Sequence, residues 1–229
     1  MLNFLGIGSA FNTNLGNTCA YIKTKKTLFL IDCGSTVFRR LLKREILSNV
    51  NNIFVAITHT HPDHIGSLGE LIFYSHYKLN CTCKIYFPDN NLINTILNCQ
   101  GIRNNYYEIS NSGTRISDMD LEFSFFNSSH VDSIPCYGIL VNKDNKSIYY
   151  SGDSNRVSSY VVEGLKNGTI DKLYQDTCSL DYKENPHLYL GKLSEIIPGH
   201  LRHKVYCMHL DENFNINTAK SLGFNIAEI

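Results

Sequence analysis

The chain has 229 residues, 43% hydrophobic and 18% charged, which supports one substantial core and suits a single domain over residues 1–229 better than two. Its 21 Lys and Arg balance 21 Asp and Glu, so no net field gathers a polyanion; a large nucleic acid is disfavoured as a partner and a small substrate favoured. The opening "MLNFLGIGSAF" has no basic segment and is broken by Gly6 and Gly8, and no apolar run reaches spanning length, which argues against a signal peptide or membrane span and for the cytoplasm.

In chain order, "LNFLGI", "CAYIKT" and "TLFLID" read as strands, the last two joined by the polar turn in "KTKKTL" as an antiparallel hairpin. "STVFRRLLKREIL" then predicts a helix whose apolar stripe is Val37, Leu41, Leu42 and Ile46. The strand "IFVAIT" follows, then a helix in "GSLGELIFYSHY" and the strand "CKIYF". "LEFSFFN", "YGILVN" and "SIYYSG" are further strands, with "NKDNKS" as the turn of a second hairpin; "DKLYQD" and "KVYCMH" complete the set. Early hairpins followed by alternating strands and helices predict an α/β fold, a sandwich of two sheets with helices outside. The eight cysteines are scattered along these runs, and the pair in "CTC" has no second pair at zinc-knuckle spacing, so all are expected to be free thiols.

The stretch "ITHTHPDHIGSL" crowds His59, His61, Asp63 and His64 just beyond the end of a predicted strand, where loops carry chemistry. In extended chain His59 and His61 point the same way. Pro62 then turns the backbone and sets Asp63 and His64 at or just before the start of the next helix, facing a second point. Two neighbouring ligand sets suggest two metal ions. Further candidate ligands stand at other predicted strand ends: His130 in "SSH", Asp153 in "YSGDS" and His209 in "MHLD".

The pattern H-x-H-x-D-H, with "FLGIGSA", "LIDCGS", "THTHPDHIGSL", "SSH", "YSGDS" and "MHLD" in that order, resembles the metallo-β-lactamase fold superfamily and its ribonuclease Z-like phosphodiesterase branch. The resemblance covers nearly the whole chain. It implies an αββα four-layer sandwich with two mixed sheets and helices outside. It also implies that His59, His61 and His130 hold one ion, that Asp63, His64 and His209 hold a second, and that Asp153 bridges them, with Asp32 orienting a ligand histidine. Five imidazoles and two carboxylates without a thiolate suit Zn²⁺, with Mn²⁺ and iron as the other candidates, and such a pair favours hydrolysis at phosphorus. A β-lactamase of the B1 type would carry Cys where Asp153 stands, and the diiron relatives would carry Glu at His61. Glyoxalase II-like relatives add a C-terminal helical region absent from this sequence.

Within "YQDTCSLDYKENPHLYLGKL", Asp176 and His187 resemble the acid–histidine pair that stands beside the ions in this branch. By that resemblance Asp176 fixes the imidazole, His187 binds substrate and serves the leaving oxygen, and Asp63 helps orient or deprotonate the attacking solvent. "QDTCSLDY" followed by "VYCMHLD", in a chain with no exosite arm, most resembles the anti-Pycsar phosphodiesterases of phages and related bacterial proteins. That implies an enzyme hydrolysing 3′,5′-cyclic nucleotides (cCMP, cUMP, also cAMP and cGMP) to nucleoside 5′-monophosphates, removing a second messenger of antiphage defence. It also implies a homodimer, acting in the host cytoplasm if phage-encoded. Phe11, Tyr106, Tyr107 and Tyr182 are candidates to stack a base, with ordinary packing as the commoner role of such residues. The alternatives are a ribonuclease Z-like tRNA 3′ endonuclease and a cyclic nucleotide sponge without turnover.

Overall fold

The computed structural model describes residues 2–229. Its first sheet runs β1 (Asn3–Gly6), β2 (Cys19–Lys23), β3 (Thr27–Ile31), β4 (Asn52–Ala56), β5 (Cys83–Tyr86) and β6 (Tyr107–Ser110), side by side in that order. The pairings β1–β2 and β2–β3 are antiparallel and the rest parallel. The second sheet contains β7 (Arg115–Ile116), β8 (Leu121–Asn127), β9 (Tyr137–Lys143), β10 (Lys146–Tyr150), β11 (Lys172–Asp176), β12 (Val205–Met208) and β13 (Asn225–Ile226). It is antiparallel from β7 to β10 and parallel from β10 to β13. Both sheets are therefore mixed, as expected. Every strand-like run in the sequence forms a strand; β6, β7 and β13 are additional, two of them only two residues long and too short to show alternation.

Side-chain alternation on β3 shows how the layers form. Leu28 and Leu30 face one apolar cluster with Val37, Leu41, Leu71, Ile72, Ile93 and Leu97 from the helices α1 (Val37–Lys43), α3 (Leu68–Tyr74) and α4 (Asn90–Cys99), while α2 (Pro62–Ile65) precedes α3. Phe29 and Ile31 face the other way, into the layer between the sheets, where Phe123 lies 5.1 Å from both Phe29 and Tyr86, ring to ring. Val161 and Leu165 of α5 (Ser159–Asn167), Leu193 of α6 (Leu190–Ile196) and Ala219 of α7 (Ile216–Ser221) belong to the cluster of the second sheet. Among the described residues, no helix is long and apolar enough to cross a membrane.

The α1 stripe is narrower than its sequence suggests. Val37 and Leu41 are buried but Leu42 is 39% exposed, because it stands one residue, about 100°, around the helix from Leu41. The helix stops at Lys43, and left-handed Glu45 (φ 54°) turns the chain before Ile46. In the β9–β10 hairpin, Asp144 and Asn145 both take positive φ (51° and 57°), the two-residue turn that matches strand twist.

Strand direction fixes where a site can form. β3 and β4 in one sheet and β8, β10, β11 and β12 in the other all end on the same side of the sandwich. There the sheets are laced together: Ser9 donates its N–H to the Leu210 carbonyl (3.0 Å), and Leu210 donates to that of Ile7 (2.9 Å). Phe123, buried between the sheets, is the sharpest probe of that layer. Phe123→Ala is expected to lower unfolding free energy by about 3–5 kcal/mol in denaturant titration; a loss below about 1 kcal/mol would contradict this packing.

Candidate metal centre

β4 ends at Ala56, the chain bends at Thr58, and it reaches α2 through His59 and an extended His61, the residue before the helix. Pro62 opens the single turn of α2, which holds Asp63 and His64 just ahead of α3, the helix expected in "GSLGELIFYSHY". The "LIDCGS" loop after β3 clamps this turn: Cys33 donates to the His64 carbonyl at 2.7 Å, and Ser35 to that of Pro62. A side chain at Gly34 would place its Cβ 1.8 Å from the Asp63 carbonyl oxygen, so only glycine allows the approach. On the second sheet, Gly152 (φ 58°) and His209 (φ 58°) turn the chain at the ends of β10 and β12, and Asp176 closes β11.

These strand ends bring together the sequence-predicted donors in two groups that share Asp153. In the first, His59 Nε2 lies 3.0 Å from His61 Nδ1, which is 3.3 Å from His130 Nε2, and Asp153 Oδ2 is 3.7 Å from the His59 and His130 nitrogens. In the second, His64 Nε2 stands 3.4 Å from Asp63 Oδ2 and 3.2 Å from Asp153 Oδ1, while His209 Nε2 is 3.2 Å and 3.4 Å from the same two oxygens. Asp153 thus turns one oxygen to each group. Bonds of about 2.0–2.1 Å to a tetrahedral ion would set neighbouring donors about 3.3–3.4 Å apart, which these separations bracket.

Charge makes the same point. Asp32, Asp63, Asp153 and Asp176 are all buried, and among the described residues their ion-pair partners are histidines alone. Buried carboxylates need compensation, and two divalent cations would carry the four positive charges that match these four. The His64 Nε2 and Asp153 Oδ1 atoms are buried without a hydrogen-bond partner, as ligand atoms facing an ion would be. Burial, reinforced by the neighbouring His64, lowers His59 well below the usual imidazole range, and burial with His130 lowers His61; both rings therefore offer lone pairs. Burial opposes protonation of His64 and His209 as well, but Asp153 with Asp32 or Asp176 outweighs it and raises both, His209 to about 10. The residues present fit a dinuclear metal site.

The outer faces of the rings are held too. His64 Nδ1 donates to Asp32 at 2.8 Å, His130 Nδ1 to the Pro186 carbonyl at 3.0 Å, and His187 Nδ1 to Asp176 at 2.7 Å. Burial would lower His187, but the Asp176 carboxylate overrides it and raises the imidazole above its ordinary value. His187 stands beside the donor groups, 3.9 Å from Asp153 Oδ2, its ring stacked 5.0 Å from that of His209. Together with His61, His130 and Asp63 it lines a cavity of about 460 Å³.

Phe11 (86% exposed) and Tyr182 (52% exposed) form part of the cavity rim. Tyr106 and Tyr107 do not: both are buried in the helix-facing cluster of the first sheet, where Tyr106 stacks 3.9 Å from His76. Their aromatic character alone could not separate rim from core. None of the eight cysteines joins a donor group, and all are free; Cys83 is buried on β5 and Cys81 half-buried before it. Residues not foreseen are Thr58, whose hydroxyl touches Asp32 and His59, the Pro186 carbonyl, and Asn185, whose side chain accepts from the His187 N–H and donates to the Leu180 carbonyl. Thr58 directly precedes the histidine cluster, which was the available signal; a carbonyl carries none.

A family model described as "Anti-Pycsar protein Apyc1" matches residues 1–227. The chain belongs to the anti-Pycsar Apyc1 family. Curated Apyc1 proteins similar to it include that of Paenibacillus xerothermodurans, 26% identical over 96% of this chain and 91% of that protein, and that of Bacillus phage BSP38, 25% identical over 93% and 89%. Among solved structures, the metallo-β-lactamase fold protein YhfI from Bacillus subtilis superposes with a TM-score of 0.77 at 17% identity, covering 99% of this chain and 96% of that one. Human tRNase Z, short form, gives 0.67 at 19% identity over 92% and 93%. These two likenesses show the fold, so this Apyc1-family chain has the metallo-β-lactamase architecture that its sequence resembled.

The glycine contact in that architecture is directly testable. Gly34→Ala is expected to destabilise the chain by about 2 kcal/mol or more through overpacking against α2, read as a lower denaturation midpoint. An unchanged midpoint would contradict the contact.

Proposed function

We propose that this chain is a two-ion phosphodiesterase that opens 3′,5′-cyclic nucleotides, cCMP and cUMP as well as cAMP and cGMP, to nucleoside 5′-monophosphates, and thereby counteracts Pycsar antiphage signalling. The observation that carries the reading is Asp153, one oxygen in each donor group, beside an Asp176-fixed His187 at a cavity large enough for a small ligand. Membership of the Apyc1 family supports the substrate class. In this reading His59, His61, His130 and Asp153 hold one ion, and Asp63, His64, His209 and Asp153 the other. Zinc is the preferred metal for such a nitrogen-rich set and Mn²⁺ the alternative. The working form is a homodimer, placed in the host cytoplasm if phage-encoded.

Divalent ions in such a pair supply Lewis-acid activation of solvent and neutralise charge on the phosphoryl group. The protein's own groups do the rest. Asp63, buried in α2 and lining the cavity, orients the attacking water and accepts its proton. The water oxygen bonds to phosphorus, the P–O3′ bond breaks, and the electron pair leaves with O3′. His187, its Nδ1 fixed by Asp176, contacts the phosphoryl group and gives the departing O3′ its proton.

Purified protein supplied with Zn²⁺ or Mn²⁺ should convert cyclic nucleotides to linear 5′-monophosphates resolved by chromatography, and a chelator should stop it. Retained, unchanged nucleotide would mean a sponge, and trimmed precursor tRNA with untouched cyclic nucleotide a nuclease; either result rejects the proposal. His187→Ala should cut kcat by about 10²–10⁴ with ion content intact. A kcat within about threefold of the parent would remove His187 from the reaction.

A further inference from the structure

We propose that the Thr58 hydroxyl is a positioning group that ties both ion sites to one buried carboxylate, Asp32, so that the affinities of the two sites rise and fall together. The inference rests on the two-ion reading above. Thr58 is fully buried. Its Oγ1 lies 2.9 Å from Asp32 Oδ2 and 3.1 Å from His59 Nδ1, and its N–H donates to Asp32 Oδ1 at 2.7 Å. A hydroxyl has one proton to donate and a carboxylate can only accept. The Thr58 proton therefore goes to Asp32, and Oγ1 accepts from His59 Nδ1–H. His64 Nδ1–H donates to the same Asp32 oxygen at 2.8 Å, closer than its 3.4 Å to Thr58. One carboxylate thus sets the tautomer of a histidine in each donor group, directly for His64 and through a hydroxyl for His59, leaving both Nε2 atoms unprotonated toward the ions.

The other branch of the Thr58 side chain packs under Gly152, next to Asp153: a Cβ at Gly152 would lie 3.0 Å from Thr58 Cβ and 3.2 Å from its methyl. Substitution can separate the two halves. Thr58→Val keeps the methyl contact and loses the hydroxyl, whereas Thr58→Ser does the reverse.

Titration of the metal-free full-length chain with Zn²⁺ against a chromophoric chelator reads the two binding steps. Thr58→Val should weaken both steps about 10-fold or more, and Thr58→Ser should stay within about threefold of the parent. Wild-type affinity in the valine variant, weakening of one step alone, or equal weakening in both variants would overturn the proposal. A parent that binds fewer than two ions would instead overturn the two-ion reading. Should the valine variant not fold, long-range ¹H–¹⁵N spectra of the zinc-loaded parent decide: the proposal expects His59 and His64 both protonated at Nδ1, and a proton on His59 Nε2 rejects it.

Discussion

Asp153 sits almost wholly inside the protein, 3% exposed, with one carboxylate oxygen turned to each of two histidine groups. A buried carboxylate without a cation is costly, and this one shares its surroundings with three more, Asp32, Asp63 and Asp176, with no lysine or arginine paired to any of them among the described residues. Histidine is the residue that can tolerate both states of such a place, protonated when the carboxylates face it alone and neutral when a divalent cation takes up the charge. The electrostatics of the site thus presuppose ions, and the rest of its construction serves to hold the donors where ions can reach them.

That holding is done by strand polarity and tight turns. Parallel pairing of β3 with β4, of β10 with β11 and of β11 with β12 delivers Asp32, His59, Asp153, Asp176 and His209 to one edge of the sandwich. Left-handed turns at Asp32 (φ 68°), Gly152 and His209 then swing the chain inward. Such backbone is uncommon for residues with side chains. At His209 it is stabilised by the adjacent Leu210, whose N–H and carbonyl both bond to the continuation of β1. The same lacing joins the two sheets, so the site and the sandwich are closed by common contacts.

Much of this was legible in the sequence. The strands with β-branched and aromatic runs, the hairpin turn at Asp144 and Asn145, and the fold class followed from periodicity and turn chemistry, and H-x-H-x-D-H brought the superfamily with it. The donor residues that the resemblance implied do stand together. What could not be read were features set by tertiary packing. Leu42 looked like part of a stripe but faces away from the core; Tyr106 and Tyr107 carried the same aromatic signature as Phe11 and Tyr182 yet pack beneath helices; β7 and β13 are too short for any pattern. Thr58 and Pro186 act through a hydroxyl and a carbonyl whose partners come from distant segments, so local sequence does not disclose them.

The central claim is that two ions flank Asp153, and anomalous diffraction from zinc-loaded crystals measures it most directly. The account predicts two peaks, one within bonding distance of His59, His61 and His130 and the other of Asp63, His64 and His209, with a different Asp153 oxygen on each. A single peak, or peaks remote from Asp153, would contradict it.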